Sequence, residues 1–295
     1  MLFPTWFAGT HEANEWLIGP GRSLDPERWF VVVPNLFGNG LSSSPSTTAA
    51  PYDRDRFPAV SVRDNVAAQH RLVTEVLGIR RLALVLGCSM GALQTYQWAV
   101  SHPDMVERAL PYCGSSWTSP HNMVFLEGVK AALTADRSFQ GGRYESSPRA
   151  GLRAFARVYA GWGLSQAFYW QETFRKVGYR SMQEFLSGFW ESNFAASDAN
   201  DLLCMIDTWQ RADVGSTAGF GGDRGRALGA ITARVLALPS ETDLYLPPAD
   251  EHWASQFIRN GEVRVIPGIW GHLAGGGLDP AAATFIDEAV RTLLA

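Results

Sequence analysis

Residues 82–103 read LALVLGCSMGALQTYQWAVSHP, a short apolar run followed by a glycine-flanked serine and then a helical pattern. The central pentapeptide, residues 87–91, fits G-x-S-x-G and stands where a strand should turn sharply into a helix. Such a turn leaves little room for side chains, so glycine is favoured on both sides of the serine. The stretch predicts a nucleophile elbow that holds Ser89 at the start of a helix. A plain glycine-rich turn is the alternative.

Short apolar runs alternate with helical patterns on both sides of this stretch. The predicted strands cover residues 29–34, 82–87, 107–112, 234–239 and 262–267, with a further one at Leu2 and Phe3. The predicted helices cover residues 62–77, 91–101, 248–260 and 280–294. Continuous apolar strands separated by helices are typical of a parallel sheet that is covered on both faces. We therefore predict an α/β fold with a mostly parallel sheet and helices on both of its faces.

Residues 116–230 interrupt this alternation. They carry helical patterns at residues 125–136, 149–176, 181–194 and 198–213 and no convincing strand. Five of the eleven tryptophans fall in this stretch, which makes it an aromatic-rich insertion. The sequence thus predicts a core made of residues 1–115 and 231–295, split by a helical insertion of residues 116–230.

An activated serine needs a base and an acid that orients the base. Among the six histidines, His272 lies in a loop between the last predicted strand and the last helix. Sheets of this kind place reactive groups at the carboxyl ends of their strands, where this loop begins. Asp243 comes four residues after the preceding strand, so the order is serine, acid, histidine. We predict His272 as the base and Asp243 as the acid, with Glu241 and Asp250 as alternatives for the acid.

Acyl transfer also needs two N–H donors for the oxyanion that forms on the carbonyl oxygen. The residue after the nucleophile, Met90, is predicted to supply one of them. The other is expected from the loop that follows Leu2 and Phe3, where Phe7 is the best candidate by position.

The composition excludes several other classes of protein. The chain has 295 residues, 46% hydrophobic and 18% charged, which excludes a disordered chain. Its net charge of −4 gives no electrostatic reason to expect binding to nucleic acid or to an anionic membrane. The sequence has neither an apolar run of about 18 residues nor the pattern of a signal peptide. Cys88, Cys113 and Cys204 fit neither a disulfide framework nor a zinc site. We expect a cytoplasmic protein without a metal ion.

Taken together, these segments resemble the α/β-hydrolase superfamily, and within it the branch of homoserine O-acetyltransferase-like proteins. The resemblance rests on TWFAG at residues 5–9, the stretch at residues 18–46, LGCSMGALQTYQWAVSHPDMVERALPYCGSS at residues 86–116, DAND at residues 198–201, Asp243, and GHLAG at residues 271–275. It runs through the whole chain in the expected order. It implies the α/β-hydrolase fold, a Ser-His-Asp mechanism through an acyl-enzyme, and a helical lid formed by residues 116–230.

Two features depart from that branch. Homoserine O-acetyltransferases carry an aspartate after the catalytic histidine, where it helps to hold the amine of the substrate, whereas this chain has Leu273. Leucine offers a cationic amino acid little to bind, which argues against homoserine as the substrate. Relatives also carry strands before the loop that resembles TWFAG, so we expect this chain to lack a segment at its N-terminus.

The resemblance also suggests which side chains face the substrate. Aromatic residues of the lid would favour an apolar acyl or alcohol group, while packing inside the core is the alternative for such a stripe. The candidate substrate contacts are Trp6, His121, Trp162, Tyr169, Trp170, Trp190, Trp209 and Leu273.

We predict a serine enzyme of acyl transfer, most simply a hydrolase of a small ester or thioester that needs no cofactor. The alternative is an O-acyltransferase for which acetyl-CoA is a co-substrate. A second alternative is a non-catalytic protein that binds a ligand on the same fold. The expected partners are small esters, thioesters or alcohols and neither nucleic acid nor a membrane, and a homodimer is compatible with the sequence.

Overall fold

The computed structural model describes residues 1–295 and contains a parallel sheet. Its strands are β1 (Val85–Cys88), β2 (Arg108–Tyr112), β3 (Arg234–Ala237) and β4 (Gly261–Val263). They lie side by side in that order, and each neighbouring pair is parallel. The predicted α/β fold with a mostly parallel sheet is confirmed.

Two further segments extend the sheet beyond β1. Leu2 forms parallel bridges to Val85 on one side and to Val32 on the other, and Phe3 N donates to Val32 O at 2.8 Å. Both segments were predicted as strands, and each is reduced here to isolated bridges. The chain order reverses at Leu2, because β1 lies on the opposite side of it from Val32. In open parallel sheets, ligands bind at the carboxyl ends of the strands at such a reversal.

Helices account for most of the remaining structure. The α-helices are α1 (Val62–Arg71), α2 (Met90–Ser101), α3 (Pro120–Thr134), α4 (Arg149–Gly163), α5 (Gln166–Trp170), α6 (Met182–Phe185), α7 (Ser192–Phe194), α8 (Ala199–Gln210), α9 (Arg224–Gly229), α10 (Pro248–Ser255) and α11 (Pro280–Leu294). The π-helical turns are Leu72–Val76 and Leu186–Glu191. The 3-10 segments are His11–Leu17, Arg54–Arg56, Arg137–Gly142, Thr173–Arg175, Val214–Ser216 and Gly271–Gly276. None of these helices combines the length and the apolar character that crossing a membrane requires.

The two faces of the sheet pack into separate apolar layers. Val85 and Val235 belong to the layer that contains the buried side chains of α1, α2 and α10. Leu86 and Leu236, the next residues along the same strands, belong to the layer that contains those of α11. Successive residues of a strand point to opposite faces, which explains the alternation. Helices therefore cover both faces, as predicted.

Residues 116–230 contain helices and no strand of the sheet. The two ends of this insertion meet, since Trp117 bridges antiparallel to Asp213 and Thr118 N donates to Ala212 O at 2.9 Å. Inside it, α3 and α4 pack against each other. The division into a core and a lid at these residues stays a prediction.

One predicted helix is broken in the structure. The pattern at residues 149–176 becomes α4 and α5, with Leu164 and Ser165 extended between them. Ser165 Oγ accepts a hydrogen bond from Phe168 N at 3.0 Å, so this serine caps the start of α5. A capping serine inside an apolar helical pattern gives the chain a place to change direction, and helical periodicity alone does not reveal it.

Candidate active site

The connection between β1 and α2 is a sharp turn with Ser89 at its tip. Ser89 has φ 55° and ψ −120°, a combination that residues other than glycine rarely adopt. Its N–H donates to the carbonyl oxygens of Tyr112 and Cys113 at 3.1 and 3.2 Å, and its own carbonyl accepts from Ala92 N at 2.9 Å. These bonds hold the serine backbone in its strained conformation at the carboxyl end of β1.

The two glycines of the motif are required by close backbone contacts. A Cβ atom at Gly87 would lie 2.4 Å from the carbonyl carbon of Gly91. A Cβ atom at Gly91 would lie 2.8 Å from Pro4 O, in the segment that leads to Phe7. Both distances are below any normal carbon contact, so the turn closes only with glycine at these positions.

A buried histidine and a buried aspartate lie beside this turn. His272 is part of the Gly271–Gly276 segment, and its Nδ1 lies 2.7 Å from Asp243 Oδ2. The other carboxylate oxygen, Asp243 Oδ1, accepts the N–H groups of Tyr245 and Leu246 at 3.1 and 3.0 Å. These hydrogen bonds fix the carboxylate, and through it they fix the orientation of the imidazole.

Neither alternative acid contacts His272. Glu241 accepts the N–H of Gly268 at 3.0 Å. Asp250 lies in the first turn of α10, where burial raises its pKa to about 6. The structure brings Asp243, and not these two carboxylates, to the imidazole.

Ser89 and His272 line the same cavity, which has a volume of about 330 Å³. The only side-chain hydrogen bond of His272 is the one to Asp243, so its Nε2 is not bonded to the serine hydroxyl in this conformation. In serine enzymes without substrate this bond is often long, and it shortens in the substrate complex. The arrangement can support proton transfer from the serine once a substrate is bound.

Two backbone N–H groups beside Ser89 are free to bind an oxyanion. Met90 is the first residue of α2, so its N–H has no acceptor within the helix. The N–H of Phe7 makes no backbone hydrogen bond, and Phe7 lines the cavity together with Ser89. Phe7 follows the Leu2 bridge and Met90 follows β1, so the two donors lie on backbone segments that leave neighbouring strands at the reversal of chain order. We call these segments, residues 4–7 and residues 89–90, the two arms. The role of Phe7 and Met90 as oxyanion donors stays a prediction.

The cavity walls are mostly apolar, since ten of the fifteen lining residues are hydrophobic. The predicted substrate contacts that line it are Trp6, Trp190 and Leu273. Among the lining residues that the sequence did not predict, those with large or polar side chains are Tyr159, Phe189, Asn193 and Phe194. Residues 189, 190, 193 and 194 share one helical face, so spacing on the insertion could have identified that group. A larger and more polar cavity of about 640 Å³, between Ser46 and Asn200, contains none of the predicted site residues.

Three predicted substrate contacts, Trp170, His121 and Trp162, do not line the cavity. Trp170, at the end of α5, is 89% exposed and does not line the cavity. His121 is exposed at the start of α3, and its ring packs 5.3 Å from that of Trp162. Trp162 is partly buried on α4 and packs on Phe125, whereas Tyr159 of the same helix lines the cavity.

Tyr169 and Trp209 do not line the cavity either, because they pack against other parts of the protein. The hydroxyl of Tyr169 donates to Ala160 O at 2.5 Å, which ties α5 to α4. Trp209 is fully buried, with its ring 5.9 Å from that of Phe7 and 5.7 Å from that of Tyr245. Trp209 therefore supports the cavity wall from behind instead of lining it.

Two cysteines lie next to the serine, and they are free and buried. Contact with Cys88 and burial raise the pKa of the Cys113 thiol well above its usual value, so Cys113 stays protonated. A Cβ atom at Gly275 would lie 2.5 Å from Cys88 Sγ and 3.0 Å from Cys113 Sγ, so the histidine segment packs directly on both. No group of three or more His, Cys, Asp or Glu side chains has a geometry suited to a metal ion.

A second buried carboxylate contacts the nucleophile helix. Glu251 on α10 is fully buried and accepts a hydrogen bond from the hydroxyl of Tyr96 on α2. Burial disfavours the charged carboxylate and raises the pKa of Glu251 from 4.5 to about 8. At neutral pH the folded protein therefore holds a proton there that the unfolded chain releases.

This difference predicts how stability depends on pH. Between about pH 4.5 and pH 8, Glu251 makes the free energy of unfolding fall as pH rises, by at most about 1.4 kcal/mol per pH unit. Glu251→Gln keeps an oxygen for Tyr96 and has no proton to lose, so its urea unfolding should depend less on pH in this window. Glu262→Gln, at an exposed carboxylate whose pKa is lowered by Arg264, is the control and should keep the wild-type slope. An unchanged slope in Glu251→Gln would contradict the prediction.

Comparison with known proteins gives a consistent result. The sequence profile of a family described as having the alpha/beta hydrolase fold matches residues 2–274. The chain is 41% identical to an ethyl acetate hydrolase of Pseudomonas veronii over 297 aligned residues, covering all of this chain and 84% of the relative. It is 30% identical to a homoserine O-acetyltransferase of Symbiobacterium thermophilum, covering 86% of this chain and 71% of the relative. Among solved structures, that of the acetyl esterase MekB superposes with a TM-score of 0.97 at 41% identity, covering 99% of this chain and 86% of that one.

Proposed function

Because the chain belongs to the α/β-hydrolase family, we propose that Ser89, His272 and Asp243 form the catalytic triad of its ester hydrolase activity. The observation that carries this proposal is the strained turn of Ser89 in the same apolar cavity as His272, whose Nδ1 is held by the buried Asp243. Residues 116–230 act as the lid that supplies the other wall of that cavity. The family relationship and the site point to the same reaction class, acyl transfer through a serine.

The reaction follows from the positions of these groups. His272 takes the proton of the Ser89 hydroxyl while the serine oxygen attacks the ester carbonyl carbon. The N–H groups of Phe7 and Met90 donate to the carbonyl oxygen as it becomes an oxyanion. His272 then gives its proton to the alkoxide, which leaves as the alcohol. In the second half of the reaction, His272 takes a proton from a water molecule whose oxygen attacks the acyl carbon. His272 then gives that proton to the serine oxygen, and the carboxylic acid leaves with Ser89 restored.

The substrate class follows from the size and polarity of the cavity. A volume of about 330 Å³ with mostly apolar walls suits a small uncharged ester better than a charged or extended one. Leu273, next to His272, also lines the cavity and carries no charge that could bind a substrate amine, which further favours an uncharged ester. We propose short-chain esters such as acetate esters as substrates, in line with the ethyl acetate hydrolase among the relatives.

Acyl transfer to an alcohol is the second candidate, and it has specific support in the homoserine O-acetyltransferase relative. Its acceptor would have to be an uncharged alcohol, because no residue that lines the cavity carries a carboxylate to bind a cationic amine, and the nearby Asp243 is engaged by His272. Acetyl-CoA would then be a co-substrate. Hydrolysis itself needs no cofactor on this proposal. The cytoplasmic location stays a prediction, as does the homodimer.

The test measures acid release and ester exchange together. Purified protein is incubated with ethyl acetate or p-nitrophenyl acetate, with and without a small alcohol, and separately with acetyl-CoA and the same alcohol. We expect acetate as the main product and little release of free CoA. CoA release that depends on the alcohol would favour the transferase. A protein that neither turns over these substrates nor reacts with a fluorophosphonate probe would favour the non-catalytic binding protein.

The cavity also predicts how acyl chain length is selected. Phe194 lines the cavity from α7 and packs on Phe7 and Phe155. Phe194→Ala should enlarge the space beside Ser89 and raise the ratio of kcat/KM for p-nitrophenyl butyrate to that for the acetate. The expected increase is about tenfold, the effect of one or two methylene groups in an apolar pocket.

Phe174→Ala is the matched control for Phe194→Ala. Phe174 is also buried in the insertion and packs on Phe185, and neither of these two residues lines the cavity. Phe174→Ala should lower stability without changing the butyrate-to-acetate ratio. Equal ratios in the two variants would show that Phe194 does not limit the acyl group.

A further inference from the structure

One buried side chain connects the two arms that carry the predicted oxyanion donors. Gln94 lies in the second turn of α2 and is fully buried. Its Nε2 donates two hydrogen bonds, one to Thr5 O at 3.0 Å and one to Met90 O at 3.1 Å. Thr5 is two residues before Phe7, and Met90 is itself the other donor. A single amide group therefore bonds to both arms.

A second buried amide fixes the orientation of the first. Gln94 Oε1 accepts from Gln69 Nε2 at 2.6 Å, and Gln69 Oε1 accepts from Trp98 Nε1 at 2.8 Å. The indole N–H is only a donor, so it defines which end of the Gln69 amide is oxygen. The Gln69 amide in turn defines which end of the Gln94 amide is oxygen. The chain of bonds leaves Gln94 Nε2 directed at the two carbonyl groups.

The arm that carries Phe7 has few other polar ties. Thr5 N donates to Pro34 O at 3.3 Å, and Thr5 Oγ1 accepts from Leu36 N at 3.0 Å. Both of these bonds connect the arm to the segment on the far side of Leu2. The Gln94 bond is the one that connects Thr5 to α2, the helix that begins at the other donor. The relative position of the two N–H groups thus depends on Gln94 in addition to apolar packing.

We propose that Gln94 is a positioning residue that sets the separation of the Phe7 and Met90 N–H groups and so preorganises the oxyanion hole. This inference rests on the proposed function. It does not give Gln94 any contact with substrate. Donors must be in place before charge develops to stabilise the transition state fully, so a shift of either arm should slow the chemical step more than it weakens substrate binding.

The test compares Gln94→Met with Gln69→Met. Methionine keeps the length of glutamine and removes its hydrogen bonds, so Gln94→Met releases both carbonyls. Gln69→Met removes the outer bonds of the same network and leaves the two bonds between Gln94 and the arms in place. We expect kcat for p-nitrophenyl acetate to fall by about 10- to 100-fold in Gln94→Met, the range for misplaced groups, with KM nearly unchanged. Gln69→Met should lose about threefold or less.

A tetrahedral inhibitor distinguishes positioning from general destabilisation. A small trifluoromethyl ketone adds to the Ser89 hydroxyl and places an oxyanion at the two N–H groups. Its affinity should fall in Gln94→Met by the same factor as kcat/KM, because both depend on the oxyanion. The melting temperatures of the two variants should be similar, since each leaves buried polar groups without partners.

The proposal has defined ways to fail. Equal losses of kcat in the two variants, or a loss in Gln94→Met without a matching loss of ketone affinity, would overturn it. If Gln94→Met does not fold, Gln94→Glu is measured in the same way, because it keeps the oxygen that Gln69 reaches and loses the amide donor. Failure of both Gln94 variants to fold would assign a purely structural role and overturn the proposal. A wild-type protein that lacks esterase activity and fluorophosphonate labelling would refute the proposed function instead.

Discussion

Ser89→Ala should lower kcat/KM for p-nitrophenyl acetate by at least ~10⁴, the size of loss seen when a triad nucleophile is removed. The serine oxygen forms the covalent bond to the acyl group, and alanine has no nucleophilic atom in its place. The adjacent thiol of Cys113 is buried and has a raised pKa, so it supplies no thiolate. The residual rate should come from the oxyanion donors acting on water. Initial rates at substrate concentrations well below KM measure the loss directly.

The control for Ser89→Ala is Ser116→Ala. Ser116 is buried, and its hydroxyl has no hydrogen-bond partner and does not line the cavity. This variant should keep activity within about threefold, since removing an unpaired hydroxyl costs little. A fluorophosphonate probe should label Ser116→Ala and leave Ser89→Ala unlabelled. Wild-type turnover by a folded Ser89→Ala protein would remove Ser89 from the mechanism.

The elbow could be predicted because its determinants are adjacent in sequence. The apolar run, the two glycines and the helical pattern all lie within residues 82–103, and the clashes that exclude a Cβ at Gly87 involve Gly91 itself. The positions of His272 and Asp243 followed from strand order, because parallel strands end at one edge of the sheet. Each of these inferences needs only local pattern and topology.

The wall of the cavity that residues 116–230 contribute could not be predicted in the same way. Trp170 and Trp190 both belong to helical patterns, yet one is 89% exposed and the other lines the cavity. Which face of a helix points inward depends on what packs against it, and a helix with apolar residues on several sides gives no unique answer. Tyr159, which lines the cavity, was not predicted either. Its hydroxyl lies 3.2 Å from that of Tyr245, and a contact between residues 86 positions apart leaves no local pattern in the sequence.

The hydrogen bonds of Asp243 determine which tautomer His272 adopts when Asp243 is replaced by asparagine. Asp243 Oδ1 accepts two backbone N–H groups, from Tyr245 and Leu246, whereas Oδ2 accepts from His272. Asparagine has one oxygen and one NH₂ group, and the two backbone donors will retain the oxygen. The NH₂ group then faces His272 Nδ1, which can bond to it only as an acceptor. The imidazole proton is driven to Nε2, the atom that must take the proton from Ser89.

Asp243→Asn should therefore lower kcat/KM for p-nitrophenyl acetate by about 10⁴, the loss that the wrong histidine tautomer causes in another serine triad. The melting temperature should change little, because the buried site keeps its shape and the bonds from Tyr245 and Leu246. Asp250→Asn, the same change at a carboxylate that does not contact His272, should keep activity within about threefold. Asp250 has only a long-range influence on the site through its charge near Asp243. Equal losses in the two variants would mean that negative charge, and not the tautomer of His272, is what the reaction requires.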